Sequence, residues 1–140
     1  MTPQQIELVQ SSFAKVVPIA PQAADIFYAR LFELAPPVRT LFKGDMAEQG
    51  RKLMAMLATV VNGLTRLETI VPAAQQLARR HAGYGARPEH YPVVGAALID
   101  TLEKGLGPAF TPEVREAWAT TYGLLSAVMI AAQAEQQQQQ

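Results

Sequence analysis

Apolar residues recur at steps of three and four along almost the whole chain and nowhere alternate with period two, so the pattern predicts helices and no sheet. The first begins at Thr2-Pro3-Gln4-Gln5, where Thr2 can cap, Pro3 suits the opening turn and Gln5 falls at the capping-box position. Its stripe is Ile6, Val9, Phe13, Val16 and Val17. Pro18 and Pro21 end that helix and seed a second over residues 21–35, whose inner face carries Ala24, Tyr28, Leu31, Phe32 and Ala35. Tyr28 therefore points inward, where its hydroxyl needs a partner.

Pro36-Pro37 forces a corner followed by a turn or two of helix, and Phe42 stands at the edge of the loop that opens at Lys43-Gly44-Asp45. Residues 48–66 predict a third helix with Gln49, Leu53, Met56, Leu57, Val60, Val61 and Leu64 on one face, Gln49 being the polar member. A break is expected over residues 67–71. A helix over residues 72–82 then aligns Ala73, Leu77 and His81, with Gly83 and Gly85 ending it. Tyr91, Val94, Leu98, Leu102 and Leu106 mark the next. Thr111-Pro112-Glu113 opens the last and longest, with Val114, Trp118, Tyr122, Leu125, Val128, Met129 and Ala132 inside. The expectation is an all-α domain of six or seven helices over residues 1–135, followed by a polar glutamine tail, residues 136–140, frayed or disordered.

Composition narrows the function. Twelve basic residues balance twelve acidic ones, so the net charge offers no overall attraction to nucleic acid or to an anionic membrane. The longest apolar run, residues 124–132, is too short to cross a bilayer, and the start lacks a signal-peptide pattern, so a soluble cytoplasmic protein is expected. The absence of cysteine removes disulfides, thiolate metal sites and covalent haem attachment.

Residues 78–95 hold both histidines and two of the four tyrosines. Zinc is a poor fit, because His81 and His90 are nine residues apart, outside any familiar ligand spacing. No Gly-x-Ser-x-Gly elbow or phosphate loop is present, and Ser11, Ser12 and Ser126 fall within helical patterns. Amphipathic stripes on every helix are what a bundle needs to cover its own core, which leaves little reason to invoke a membrane or partner helix. A planar apolar cofactor in a crevice between helices, with one imidazole on its axis, fits better, and His81 is the candidate.

Six blocks in order carry a resemblance to a known family: Ile26-Phe27-Tyr28-Ala29-Arg30-Leu31-Phe32, Leu41-Phe42, Gln49-x-x-x-Leu53, Arg80-His81, Glu89-His90-Tyr91-Pro92-Val93-Val94-Gly95, and Trp118 with Tyr122-Gly123. From Gln4 to Ala132 the chain resembles the bacterial single-domain globins and the haem domains of flavohaemoglobins. The resemblance implies a globin fold, a three-over-three helical sandwich around non-covalent haem b. It makes His81 the proximal iron ligand, Phe42 the aromatic that wedges the haem, and Tyr28, Gln49 and Leu53 the distal pocket. Tyr91 would support the proximal imidazole, beside a last-helix position where the family has glutamate and this chain has Gln133; an amide there implies a weaker proximal push.

Tyr28 and Gln49 are both neutral donors, and a hydrogen bond in a dry pocket is worth about 0.5–1.5 kcal/mol. The implied function is therefore high-affinity, slowly released O2, with NO or CO as further ligands. Nitric oxide dioxygenation with an external reductase is the alternative. A six-coordinate electron-transfer haem protein, with Met54, Met56 or Tyr28 as sixth ligand, is a second alternative, and a cofactor-free interaction domain the blandest.

Overall fold

The computed structural model describes residues 2–42, 44–83 and 90–138, and of these the side chains of 41, 67, 80–83 and 133–138 lie outside the description. Six α-helices account for most of it: α1 Pro3–Val16, α2 Ala20–Leu34, α3 Met46–Asn62, α4 Leu67–Gly83, α5 His90–Leu106 and α6 Pro112–Gln138, with short 3-10 turns at Val17–Ile19, Pro36–Leu41 and Gly107–Ala109. No strand occurs among the described residues.

The caps follow the local chemistry. Thr2 and Gln5 close a reciprocal capping box at α1, and the Asp45 carboxylate accepts from the Ala47 amide at the head of α3. That cap starts α3 two residues before the expected position. Gly63 stops it earlier than expected too, its amide returning to the carbonyls of Thr59 and Val60.

One expectation needs correction. Residues 67–71 are not a break: α4 starts at Leu67, and Pro72 lies inside it. Its buried face is Ile70, Ala74 and Ala78 rather than the Ala73 row, so core contacts outweigh the backbone hydrogen bond that proline cannot make. At the other end of the chain α6 runs helical through Gln138, in keeping with the good helix propensity of glutamine.

The helices form two layers of three, α1, α3 and α4 over α2, α5 and α6. Pairs α1–α6, α4–α6 and α2–α3 pack across the layers, and α2–α5 pack side by side. Trp118 is 1% exposed where α6 meets α1; its ring lies 6.2 Å from that of Phe13, and its indole N–H donates to Ser12 Oγ at 2.8 Å. Ser12 in turn donates to the Leu8 carbonyl, so no polar group in this contact is left unsatisfied. The junction of α3 and α4 is close at one point, where Gly63 lies against the Ile70 side chain. Beyond it each rests on other helices, α3 on α2 and α1 and α4 on α6.

Candidate functional site

An aromatic cluster lies where α2 meets the start of α3. Tyr28 is buried on α2, with its ring centroid 5.1 Å from Phe27, 5.4 Å from Phe42 and 6.1 Å from Phe32, and Phe42 meets Phe32 at 5.6 Å. Phe42 reaches this cluster because Pro36–Leu41 turns the chain back and Phe42 itself is extended, half-buried at the loop edge. Burial among these rings pushes the Tyr28 phenol up to about 12, so it stays protonated through the physiological range.

The Tyr28 hydroxyl donates to the backbone carbonyl of Gln49 at 3.3 Å. The partner that the sequence demanded is thus supplied by α3, and by its main chain. The approach depends on a glycine: Gly50 is buried, and a Cβ at that position would lie 2.9 Å from the Ala24 Cβ, one turn before Tyr28 on α2. Gly50 was not among the candidate residues. Its signal was a glycine within a helical pattern, where a close helix crossing is the usual cause.

Leu53, one turn beyond Gln49 on α3, borders two adjoining cavities of about 40 and about 20 Å³. Phe27, Leu57, Leu98 and Trp118 are common to both. The linings are almost wholly apolar, offering water no partners, so space large enough for a diatomic gas stays dry. Met54 lines the smaller cavity and Met56 the larger, both half-buried.

At the start of α5, Tyr91 is buried and its hydroxyl has no hydrogen-bond partner among the described residues. A buried unpartnered hydroxyl costs about 1–3 kcal/mol, so this atom has a place for a further polar group. The backbone of Tyr91 is held by the Tyr122 hydroxyl, which donates to its carbonyl at 2.6 Å. Burial raises the ionisation of both phenols, and for Tyr122 the proximity of Tyr91 adds to it. Gly95 makes room for the Tyr122 ring, since a Cβ there would come within 2.7 Å of it. Tyr122 and Gly95 stood in the sequence blocks without a role, and the contact supplies one.

His81 lies in the last turn of α4, with its side chain outside the described residues, as are those of Arg80 and Gln133. His90 opens α5, half-buried, as a helix-start residue. The structure thus brings Tyr28, Phe42 and Gln49 together and sets Leu53 behind them, while Tyr91 belongs to a second group on α5 and α6. Among the described residues there is no cluster of three or more His, Asp or Glu side chains fit to hold a metal ion, and no helix is long and apolar enough to cross a membrane.

The globin family model matches residues 25–129. The chain belongs to the globin family. This globin is 29% identical over 133 residues to a flavohemoprotein of Vibrio cholerae, covering 93% of this chain and 34% of that one. It spans about a quarter to a third of the length of the curated relatives it matches. Its fold superposes with a TM-score of 0.86 on a bacterial globin of Campylobacter jejuni, 23% identical, covering 98% of this chain and 99% of that one. An engineered carbene transferase made from a candidate nitric oxide dioxygenase of Rhodothermus marinus matches with a TM-score of 0.87 at 25% identity, covering 96% and 94%.

Globin membership implies haem binding, and this globin's own residues fit the group. Apolar and aromatic side chains line the interior beside Leu53, and a buried phenol on α5 has no polar partner among the described residues.

Proposed function

We propose that this globin holds haem b non-covalently through His81 and binds O2 reversibly, with slow release. Bound haem supplies the iron coordination position at which a diatomic gas is held. The chain's residues do the rest. Phe42 packs against the haem face, and Tyr28 and Gln49 offer neutral hydrogen-bond donors from the distal side. Leu53 stands between that side and the interior cavities. Tyr91, whose hydroxyl has no partner among the described residues, orients the His81 imidazole.

The observation that carries this reading is the Tyr28 phenol, kept protonated among aromatic rings, whose long 3.3 Å bond to the Gln49 carbonyl is exchanged for one to the bound gas. A donor that does not ionise near neutral pH can stabilise a polar bound gas without delivering a proton to it. With a bond worth about 0.5–1.5 kcal/mol, Tyr28→Phe should speed O2 dissociation about two- to tenfold in stopped-flow measurements on the haem-loaded protein. An unchanged rate would refute the role. His81→Ala should abolish the five-coordinate ferrous spectrum.

Nitric oxide dioxygenation is the second reading, favoured by the flavohemoprotein relatives and by the description of the Rhodothermus marinus protein. Steady turnover then needs electrons from outside residues 1–140. Mixing the O2-loaded protein with NO, followed by nitrate analysis with and without a flavin reductase, separates storage from catalysis.

A further inference from the structure

The chain is neutral as a whole, but its charges are segregated. Residues 36–83, from the proline corner through α4, carry seven basic side chains against three acidic, while the remainder carries five against nine. The basic stretch therefore holds a net charge of +4 and the rest −4. Residues 36–83 also hold Phe42, Gln49, Leu53 and His81, the residues assigned to the haem site above.

The described cations of this stretch lie beside site residues and face outward. Arg51 and Lys52 sit between Gln49 and Leu53, exposed. Arg39 is exposed three residues before Phe42, with its guanidinium 5.8 Å from the Phe32 ring centroid, and Phe32 packs on Phe42. Arg79 is exposed two residues before His81. Among the described residues no carboxylate forms an ion pair with Arg39, Arg51, Arg66 or Arg79, and the Lys52–Glu48 pair is exposed and 3.9 Å long. Arg30, on the acidic side, is by contrast tied to both Asp100 and Glu33 at 2.8 and 2.9 Å.

We infer that the outer surface of residues 36–83 is a docking face for an acidic electron-donor protein of the small flavoprotein or ferredoxin kind. The inference rests on the haem reading above, which assigns Phe42, Gln49, Leu53 and His81 of this stretch to the cofactor and gives such a donor something to reduce. A molecule with no net charge but opposed halves turns a negative partner toward its basic half, and such steering raises encounter rates by about 10–10³-fold. An anionic membrane is the poorer match. Of the four exposed large apolar residues among those described, Val17, Leu34 and Leu124 lie outside the stretch and Val71 within it, so the described cations have no apolar row beside them of the kind that a helix lying in a membrane interface inserts.

The test uses the full chain loaded with haem and an acidic flavodoxin as probe. NMR titration should shift amides of residues 36–83, and 0.5 M salt should abolish the shifts. Stopped-flow reduction by flavodoxin hydroquinone should slow about tenfold or more in Arg51→Glu/Lys52→Glu. Lys104→Glu/Arg115→Glu, which makes the same change in net charge on the other half, should stay within about twofold of the parent. Equal slowing in both pairs, shifts scattered over α1, α5 and α6, or a salt-independent rate would overturn the docking face. So would salt-sensitive sedimentation with anionic vesicles while flavodoxin gives no shifts. Normal reduction by dithionite and normal CO binding alongside any of these results leaves the gas-binding reading standing. Failure to take up haem would refute that reading instead, and the titration map would still decide the docking face.

Discussion

The crossing of α2 and α3 gives the sharpest test of how the distal pocket is set. In Gly50→Ala the new Cβ would stand 2.9 Å from that of Ala24, where ordinary contacts lie at 3.4–4 Å, so the helices must part by roughly half an ångström or more. The Tyr28 hydroxyl is already 3.3 Å from the Gln49 carbonyl, and such an opening takes it beyond hydrogen-bond range. Overpacking costs about 1–3 kcal/mol and the lost bond about 0.5–1.5. Against them stands a gain of about 1 kcal/mol in helix propensity from replacing glycine by alanine. The single variant should therefore lose about 0.5–3.5 kcal/mol.

The reciprocal change, Ala24→Gly, loses the same propensity and removes the opposing methyl. In Ala24→Gly/Gly50→Ala the two propensity changes cancel and one Cβ again occupies the crossing, so most of the stability should return. Urea unfolding of the four proteins gives the coupling energy, expected to exceed about 1 kcal/mol for a pair in direct contact. Ultraviolet titration supplies a second reading. In Gly50→Ala alone, water reaching Tyr28 should lower its ionisation from about 12 toward the ordinary 10, and the double variant should reverse the shift. Additive stabilities, with Tyr28 titrating unchanged in Gly50→Ala, would show that the glycine does not hold the helices in register.

Leu53→Ala should open the wall between the distal side and the cavities, raising the CO association rate after flash photolysis; because Leu53 is half-buried, stability should fall by about 2 kcal/mol, the low end for such truncations. Tyr91→Phe removes a hydroxyl with no described partner, so the haem-free protein should keep or gain stability while haem transfers faster to a scavenging apoprotein; a loss above about 1 kcal/mol without haem would show that the hydroxyl is already bonded. Alkaline stability has a defined sign. Burial raises the ionisation of Tyr28, Tyr91 and Tyr122 above the ordinary value near 10, so the unfolded chain releases these protons first, and stability should be full below about pH 10 and decline as the pH rises toward 12. Urea midpoints that stay flat between pH 9.5 and 11.5 would contradict it.

Much of this arrangement was legible in the residue pattern, for identifiable reasons. Helical periodicity, paired prolines and the Thr2 capping box are local signals, and α1, α2, α5 and α6 begin and end close to where those signals stand. Tyr28 was legible as an inward hydroxyl in need of a partner, but not as a donor to a main-chain carbonyl, since that bond depends on the depth at which two helices cross. For the same reason Gly50 passed unnoticed: a glycine within a stripe looks alike whether it faces solvent or another helix's methyl group. The start of α4 was misjudged because Pro72 is a strong local stop signal, whereas burial of Ile70, Ala74 and Ala78 is a tertiary gain that local rules do not count.

The bond from Trp118 to Ser12 has a consequence for the order of synthesis. It joins residues 106 positions apart, and with the Phe13–Trp118 contact it seats the first helix on the last. During translation α1 leaves the ribosome long before the surface it will cover. At about 5–20 residues per second, Val9, Phe13 and Val16 wait roughly 5–20 s for α6. Over that interval the newborn chain can lay α1 on α3 but leaves the side meant for α6 bare, a transient handle for chaperones. A protein released before Trp118 would keep that handle for good.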